Sequence, residues 1–275
     1  AVIENGPLRG GICLQRDFGR SSLRQHICIY DSVPRIDFFT HVDWQEKNML
    51  LKAAFPVEVM SNTAAYEIQF GTIERPTHWN TSWDWARFET CAQRWVDLSE
   101  SDYGVSLIND CKYGYDIRDN RIRIALLASP IRPDPQADTG PHTFTYSLFP
   151  HAGTWEEADV VRRAYEFNNP LRETVCTGGK NSGRLPASFS LASTDRSETI
   201  IDTVKKSEDS DEYILRLYQS QKKRGTVTVR TGLSLKSVRE VNLMEEDGRP
   251  LKHKDNEFSF HIKPYEIRTF GVTFQ

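Results

Sequence analysis

The chain has 275 residues, 38% hydrophobic and 27% charged, with a formal net charge of −3 and a pI near 6.2. This length can bury one large core or two smaller ones. The charge balance argues against nucleic acid or an anionic membrane as a general partner, and no apolar run approaches the roughly 20 residues that span a bilayer.

The chain opens at Ala1 without a methionine, and Val2-Ile3-Glu4 already reads as the middle of a strand, as in a piece of something longer. Period-two patterning follows. Ile36, Phe38, Val42 and Trp44 point one way, against Asp37, His41 and Asp43. Leu51, Ala53, Phe55, Val57 and Val59 share a face, and Tyr66, Ile68 and Phe70 alternate with Glu67 and Gln69. The stretch ERPTHWNTSWDWARFE, Glu74 to Glu89, breaks the pattern: it has neither strand alternation nor a single helical face. Alternation resumes over Arg87–Arg94, then through Ile122, Ile124 and Leu126 and through Phe144, Tyr146 and Leu148. One helix is expected near Thr154–Asn168. Thr154 and Glu157 form a capping box, Ala158, Val161 and Tyr165 share a face, and Asn168-Asn169-Pro170 ends it.

The turn-rich CTGGKNSGRLP, Cys176 to Pro186, marks a boundary. Shorter strands follow at Glu212–Gln219, Thr226–Arg230, Glu240–Glu245 and Phe258–Ile262. Lys222-Lys223-Arg224-Gly225 reads as a solvated hairpin turn, and Asp247-Gly248 supplies another. The expectation is an all-β chain: a large antiparallel β-sandwich over 1–180 with one short helix, then a smaller C-terminal β-sandwich over 185–275. The cysteines (Cys13, Cys28, Cys91, Cys111 and Cys176) are odd in number and lack a CxxC pair. That suits free thiols in a reducing compartment, hence a cytoplasmic setting in which the Asn80-Thr81-Ser82 sequon stays bare.

Chemistry is sparse. His41 and Asp43 could reach one metal ion, but no third ligand lies nearby and a polar outer strand face explains both. Nucleophile elbow, phosphate-binding glycine loop and HExxH motif are all missing. The proline-rich loop Ser129–His142 is a stiff connector that could equally shape a pocket. Trp79, Trp83 and Trp85 could plug the end of a sandwich or, as a group with neighbouring polar residues, form an interface or pocket rim. Alternation places Arg94 on the more apolar side of its strand, so it needs an acceptor: Asp97, or a group across an interface.

RPTHWNTSWDWARFE, then QRWVDLSESDYGVSLINDCKYGYD (Gln93–Asp116) and LASPIRPDPQADTGPHTFTYSLFPH (Leu127–His151), resemble the C-terminal region of family 38 glycoside hydrolases. The similar branch is the cytosolic and bacterial type of α-mannosidase, and HVDWQEKNMLLKAAFPVEV and KPYEIRTF match it too. The resemblance implies a supersandwich of galactose-mutarotase-like type. It also implies a retaining exo-α-mannosidase whose aspartate nucleophile, carboxyl acid/base and zinc ion lie in an N-terminal β/α-barrel that this chain lacks. His41-Val42-Asp43-Trp44 imitates only part of that barrel's H-x-D-x-(A/G)-W motif, so zinc is not transferred to it. No catalytic or metal residue is expected here, and the segment alone should be inactive. Its implied role is to pack on the barrel and wall the site that takes terminal mannose. The residues expected at that substrate or barrel interface are His78, Trp79, Asn80, Trp83, Asp84, Arg87, Arg94, Trp95 and Asp97. A free-standing carbohydrate-binding or scaffold domain is the alternative, and homo-oligomerisation stays open.

Overall fold

The computed structural model describes residues 1–175 and 186–275. They form two compact units, Ala1–Pro170 and Leu171–Gln275. Nearly all of the Cys176–Pro186 stretch, read above as a boundary, lies outside the described residues.

The first unit begins with β1 (Val2–Asn5), β2 (Arg9–Phe18), β3 (Ser21–Tyr30), β4 (Ile36–Trp44), β5 (Leu50–Pro56), β6 (Thr63–Ile68) and β7 (Gly71–Pro76). A short helix α1 (Ser82–Trp85) precedes β8 (Thr90–Cys91), β9 (Trp95–Ser99), β10 (Tyr103–Asn109) and β11 (Gly114–Arg118). β12 (Arg121–Ala128), β13 (Gly140–Ala152) and helix α2 (Val160–Asn168) complete it. Nine strands form one antiparallel sheet in the order β1-β2-β3-β4-β13-β10-β9-β6-β7, and four form a second in the order β5-β12-β11-β8.

Alternation does what the sequence implies. Val42 and Trp44 of β4, Leu98 of β9, Leu107 of β10 and Phe144 of β13 face Ile122 and Ile124 of β12 and Tyr115 of β11 in one core. Fully burying such a side chain stabilises by roughly 1.5–3 kcal/mol. β13 is the seam of the larger sheet, pairing with β4 (Phe38 opposite Tyr146) on one side and β10 (Leu107 opposite Leu148) on the other.

Local expectations fail where one residue redirects the backbone. The Thr154–Glu157 capping box forms, but it closes a turn. Asp159 then adopts a left-handed φ of 56°, and α2 starts only at Val160. Likewise β6 stops at Ile68, and Phe70 takes a φ of 54° in the turn to β7. Ile68 and Phe70 are exposed and Glu67 is buried, against the expected faces, while Tyr66 is buried and Gln69 exposed as expected. The strand expected over Arg87–Arg94 is reduced to Thr90–Cys91, and a second helix, α1, lies just before it.

The second unit contains β14 (Ala192–Thr194), β15 (Thr199–Lys206), β16 (Tyr213–Gln219), β17 (Gly225–Thr231) and β18 (Leu235–Val241). It ends with β19 (Arg249–Pro250), β20 (His253–Lys254), β21 (Glu257–Ile262) and β22 (Ile267–Phe274). Two antiparallel sheets, β14-β17-β21-β20 and β15-β16-β22-β18-β19, enclose Leu215, Leu217, Val227, Val229, Phe258, Phe260 and Phe270. Lys222–Gly225 connects strands of different sheets, so it is a crossover and not a hairpin. The strand expected at Glu240–Glu245 ends at Val241, because the Asn242 side chain accepts bonds from the Met244 and Glu246 amides and bends the chain there. Asp247-Gly248 turns between the paired strands β18 and β19, as expected.

Candidate functional site

β7 ends at Pro76, and Thr77 then pins the chain to the neighbouring loop. Its amide donates to Asn62 O at 3.0 Å and its hydroxyl to Ser61 O at 2.6 Å. The next residues are thus presented from a fixed point. Thr81 caps α1 in a reciprocal box: Asp84 N donates to Thr81 Oγ1 at 3.2 Å, and Asp84 Oδ2 accepts from Thr81 N at 3.1 Å and Thr81 Oγ1 at 2.9 Å. Asn80 N adds a fourth bond at 3.3 Å. The Thr81 hydroxyl, opposed by burial and joined by the backbone amides of Thr81 and Asn80, holds the Asp84 carboxyl below the usual carboxylate range.

This small framework fixes the tryptophans. Trp79 meets Trp85 edge-on at 5.0 Å, and the Arg118 guanidinium lies over the Trp79 ring. Trp83 is 78% exposed, Trp85 61% and Phe88 75%. Trp83 and Trp85 do not plug a sandwich end, whereas Trp79 is half-buried. Trp83, Trp85 and Phe88 make an apolar ledge facing outward.

Beneath the ledge is a cleft lined by Arg75, His78, Trp79, Asp84, Arg87 and Glu89, with Tyr66, Thr90, Tyr115 and Asp116 as its floor. Its interior is about 30 Å³, far short of the roughly 300–1,000 Å³ of a site that encloses its ligand. It can serve as one wall of a larger site. His78 Nδ1 is buried without a hydrogen-bond partner, 3.9 Å from Asp84 Oδ2. Arg75 covers the Tyr66 ring at 4.5 Å and donates to Cys91 O at 3.0 Å. Burial lowers its pKa from the ordinary arginine value. Lys52 bridges Glu89 at 2.5 Å and Asp116 at 2.6 Å, and Arg123 also pairs with Asp116.

His78, Trp79, Asp84 and Arg87 of the expected set therefore share the cleft, with exposed Asn80 and Trp83 beside them. Arg75, Glu89 and Asp116 were missed. Arg75 and Glu89 bracket the tryptophan stretch in sequence, which was the available signal. Asp116 comes from β11, far from the tryptophan stretch in sequence, at the end of the Gln93–Asp116 family stretch.

Arg94, Trp95 and Asp97 do not join this group among the lining residues. Arg94 donates through Nη2 to Glu67 Oε1 at 2.6 Å and through its backbone amide to Glu67 Oε2 at 2.7 Å, and its guanidinium lies 3.7 Å from the Tyr165 ring centroid. Its acceptor is not Asp97. Asp97 instead receives His151 Nε2 at 2.8 Å, Ser106 Oγ at 2.6 Å and Ser99 Oγ. Trp95 is fully buried against Trp155. Strand alternation does not run through Arg87–Arg94, where only Thr90–Cys91 is strand, so it does not set the side that Arg94 faces.

Two family models match the chain: the glycosyl hydrolases family 38 C-terminal domain over residues 1–136, and the family 38 C-terminal beta sandwich domain over residues 198–270. The chain belongs to the C-terminal region of the family 38 glycoside hydrolases. It is 40% identical to "Alpha-mannosidase G" of Dictyostelium discoideum over 98% of its own length and 25% of that protein. It is 37% identical to human "Alpha-mannosidase 2C1" over its full length and 27% of that protein. The chain thus spans about a quarter of the curated relatives it matches. A solved α-mannosidase from Enterococcus faecalis shares the fold with a TM-score of 0.81 at 18% identity, over 99% of this chain and 35% of that one.

Family 38 membership raises the question of zinc. Among the described residues no three His, Cys, Asp or Glu side chains converge as a metal site. His41 Nδ1 lies 3.1 Å from the Thr143 hydroxyl, and Asp43 accepts from Gln45 at 2.7 Å. The His41–Asp43 pair does not fit a zinc ion.

Proposed function

We propose that this chain is the C-terminal, non-barrel portion of a retaining α-mannosidase that removes terminal α-D-mannose from oligosaccharides. In this reading the tryptophan ledge docks on an N-terminal catalytic barrel of the same polypeptide, and the cleft beneath it completes one wall of the sugar site. The observation that carries it is the exposure of Trp83, Trp85 and Phe88 around a cleft of polar side chains too small to enclose a sugar. The nucleophile, the acid/base and the zinc belong to the barrel. Retaining hydrolysis needs two carboxyl groups about 5–5.5 Å apart across the scissile bond. The proposal extends to a cytoplasmic location and to domains over 1–180 and 185–275. Among the described residues no helix is long and apolar enough to cross a membrane.

The test compares this chain with the longer polypeptide that carries it, using an aryl α-mannoside. The longer protein should hydrolyse it and the 275-residue chain should not. Trp83→Ser with Trp85→Ser should lower turnover of the longer protein. Unchanged turnover, with both indoles still quenched by acrylamide in the longer protein, would overturn docking through the ledge. Mannose binding by the chain alone would instead favour a free-standing sugar-binding module.

A further inference from the structure

The two sheets of the first unit are mismatched, with nine strands on one side and four on the other. At one end of the larger sheet, β2 and β3 present Leu14, Phe18, Leu23 and Ile27 toward the interior, yet all four are only half-buried. Together with Phe38 and Phe55, and with Arg16 and Gln25 interleaved on the same face, they line an open groove of about 500 Å³.

The opposite bank of the groove is β5. This strand is the edge of the four-stranded sheet and pairs only with β12 among the described residues. Leu51, Lys52, Ala53, Ala54 and Phe55 all border the groove, although consecutive residues point to opposite faces. The groove therefore runs along the backbone edge of β5 and does not merely touch one face. An unpaired strand edge beside an apolar floor is a template for one more strand. Backbone amides and carbonyls of the edge would form the ladder, and the floor would take alternate side chains. Pro56, which has no N–H, ends the usable edge, leaving Leu50–Phe55.

We propose that an extended segment of the same polypeptide, from the part preceding this region, adds to β5 as an antiparallel or parallel strand and places its apolar residues on Leu14, Phe18, Leu23 and Ile27. The choice of occupant follows from length: this chain matches only 25–27% of its curated relatives, and the matching models describe C-terminal domains. It rests on the reading that a longer polypeptide carries this chain, but not on docking through the tryptophan ledge. The occupant has six or so residues with an apolar side chain at every second position.

Hydrogen–deuterium exchange tests this on the longer protein and on the 275-residue chain. Amides of residues 50–55 should exchange roughly tenfold or more slowly in the longer protein. Leu14→Lys should lower the longer protein's Tm by several degrees but shift the chain alone by less than about 2 °C, since there the groove is open to water. Equal exchange at β5 in both proteins, or equal Tm shifts, overturns the proposal. A concentration-dependent dimer of the chain with β5 protected overturns it in favour of a second copy. Acrylamide quenching of the tryptophans in the longer protein separates the two readings. β5 protection with quenched indoles upholds the added strand and sinks the ledge docking, and shielded indoles with an unprotected β5 do the reverse.

Discussion

Arg94 and Glu67, 27 residues apart, form a three-point clamp: the guanidinium Nη2 at 2.6 Å, Nε at 3.2 Å and the Arg94 backbone amide at 2.7 Å all reach one carboxylate. The Glu67 side chain is 4% exposed and that of Arg94 28%. Burial alone would lower the Arg94 pKa, but the hydrogen bond and charge of Glu67 outweigh it and raise it. Arg94→Ala leaves a buried carboxylate without its counter-ion. It should destabilise the chain by about 3–5 kcal/mol in urea denaturation. Arg94→Met combined with Glu67→Leu should cost clearly less, because no charge is then stranded.

His151 supplies a pH dependence. Burial pulls its pKa down, but the hydrogen bond to Asp97 and the Asp97 charge more than compensate, so the folded value lies above the usual one. A raised folded pKa means that the stabilisation is complete below the unfolded value of about 6.5 and fades as pH rises through the folded value. Denaturation from pH 6 upward should show this loss in the native chain. His151→Gln should flatten the slope, and an unchanged slope would remove His151 as its source.

Gly104 stands directly under that pair. A Cβ there would lie 2.5 Å from His151 Cε1 and 2.7 Å from Ser99 Oγ. Gly104→Ala must push the imidazole or the serine away from Asp97. It should cost about 1–3 kcal/mol and weaken the pH slope as well. Alanine at this position with full stability would show that the β9–β10 ladder shifts freely, contrary to its packing.

Thr81 governs the tryptophan ledge. Thr81→Ala removes the cap of α1 and one of the bonds that seat Asp84. Acrylamide quenching of the tryptophans should rise, while the cooperative unfolding transition of the chain stays in place, because Trp83 and Trp85 contribute little to the core. A collapse of that transition would mean the ledge supports the sandwich.

The strands were legible because period two survives in a half-buried sheet: Val42, Trp44, Ile122, Ile124 and Phe144 all reach the core they point to. The ledge was legible as a density of indoles that neither strand nor helix could use. What could not be read depends on single dihedrals or distant partners. Asp159 delays a helix that its capping box announces, through one left-handed φ. Asp97 finds His151 54 residues away, across the intervening β10 in a register that local pattern does not fix. Sequence proximity offered Asp97 as one possible acceptor for Arg94, whereas the pairing of β6 with β9 sets Glu67 beside it.

The position of β13 has a consequence for synthesis. Its residues 140–152 are the seam between β4 and β10, and β4 already ends at Trp44. At roughly 5–20 residues per second, a ribosome needs about 5–20 s to make the intervening chain. During that interval β4 carries Val42 and Trp44 with one long edge unpaired. The nascent protein is thus most exposed to aggregation and chaperone capture in a window that closes only when residues near 150 leave the exit tunnel.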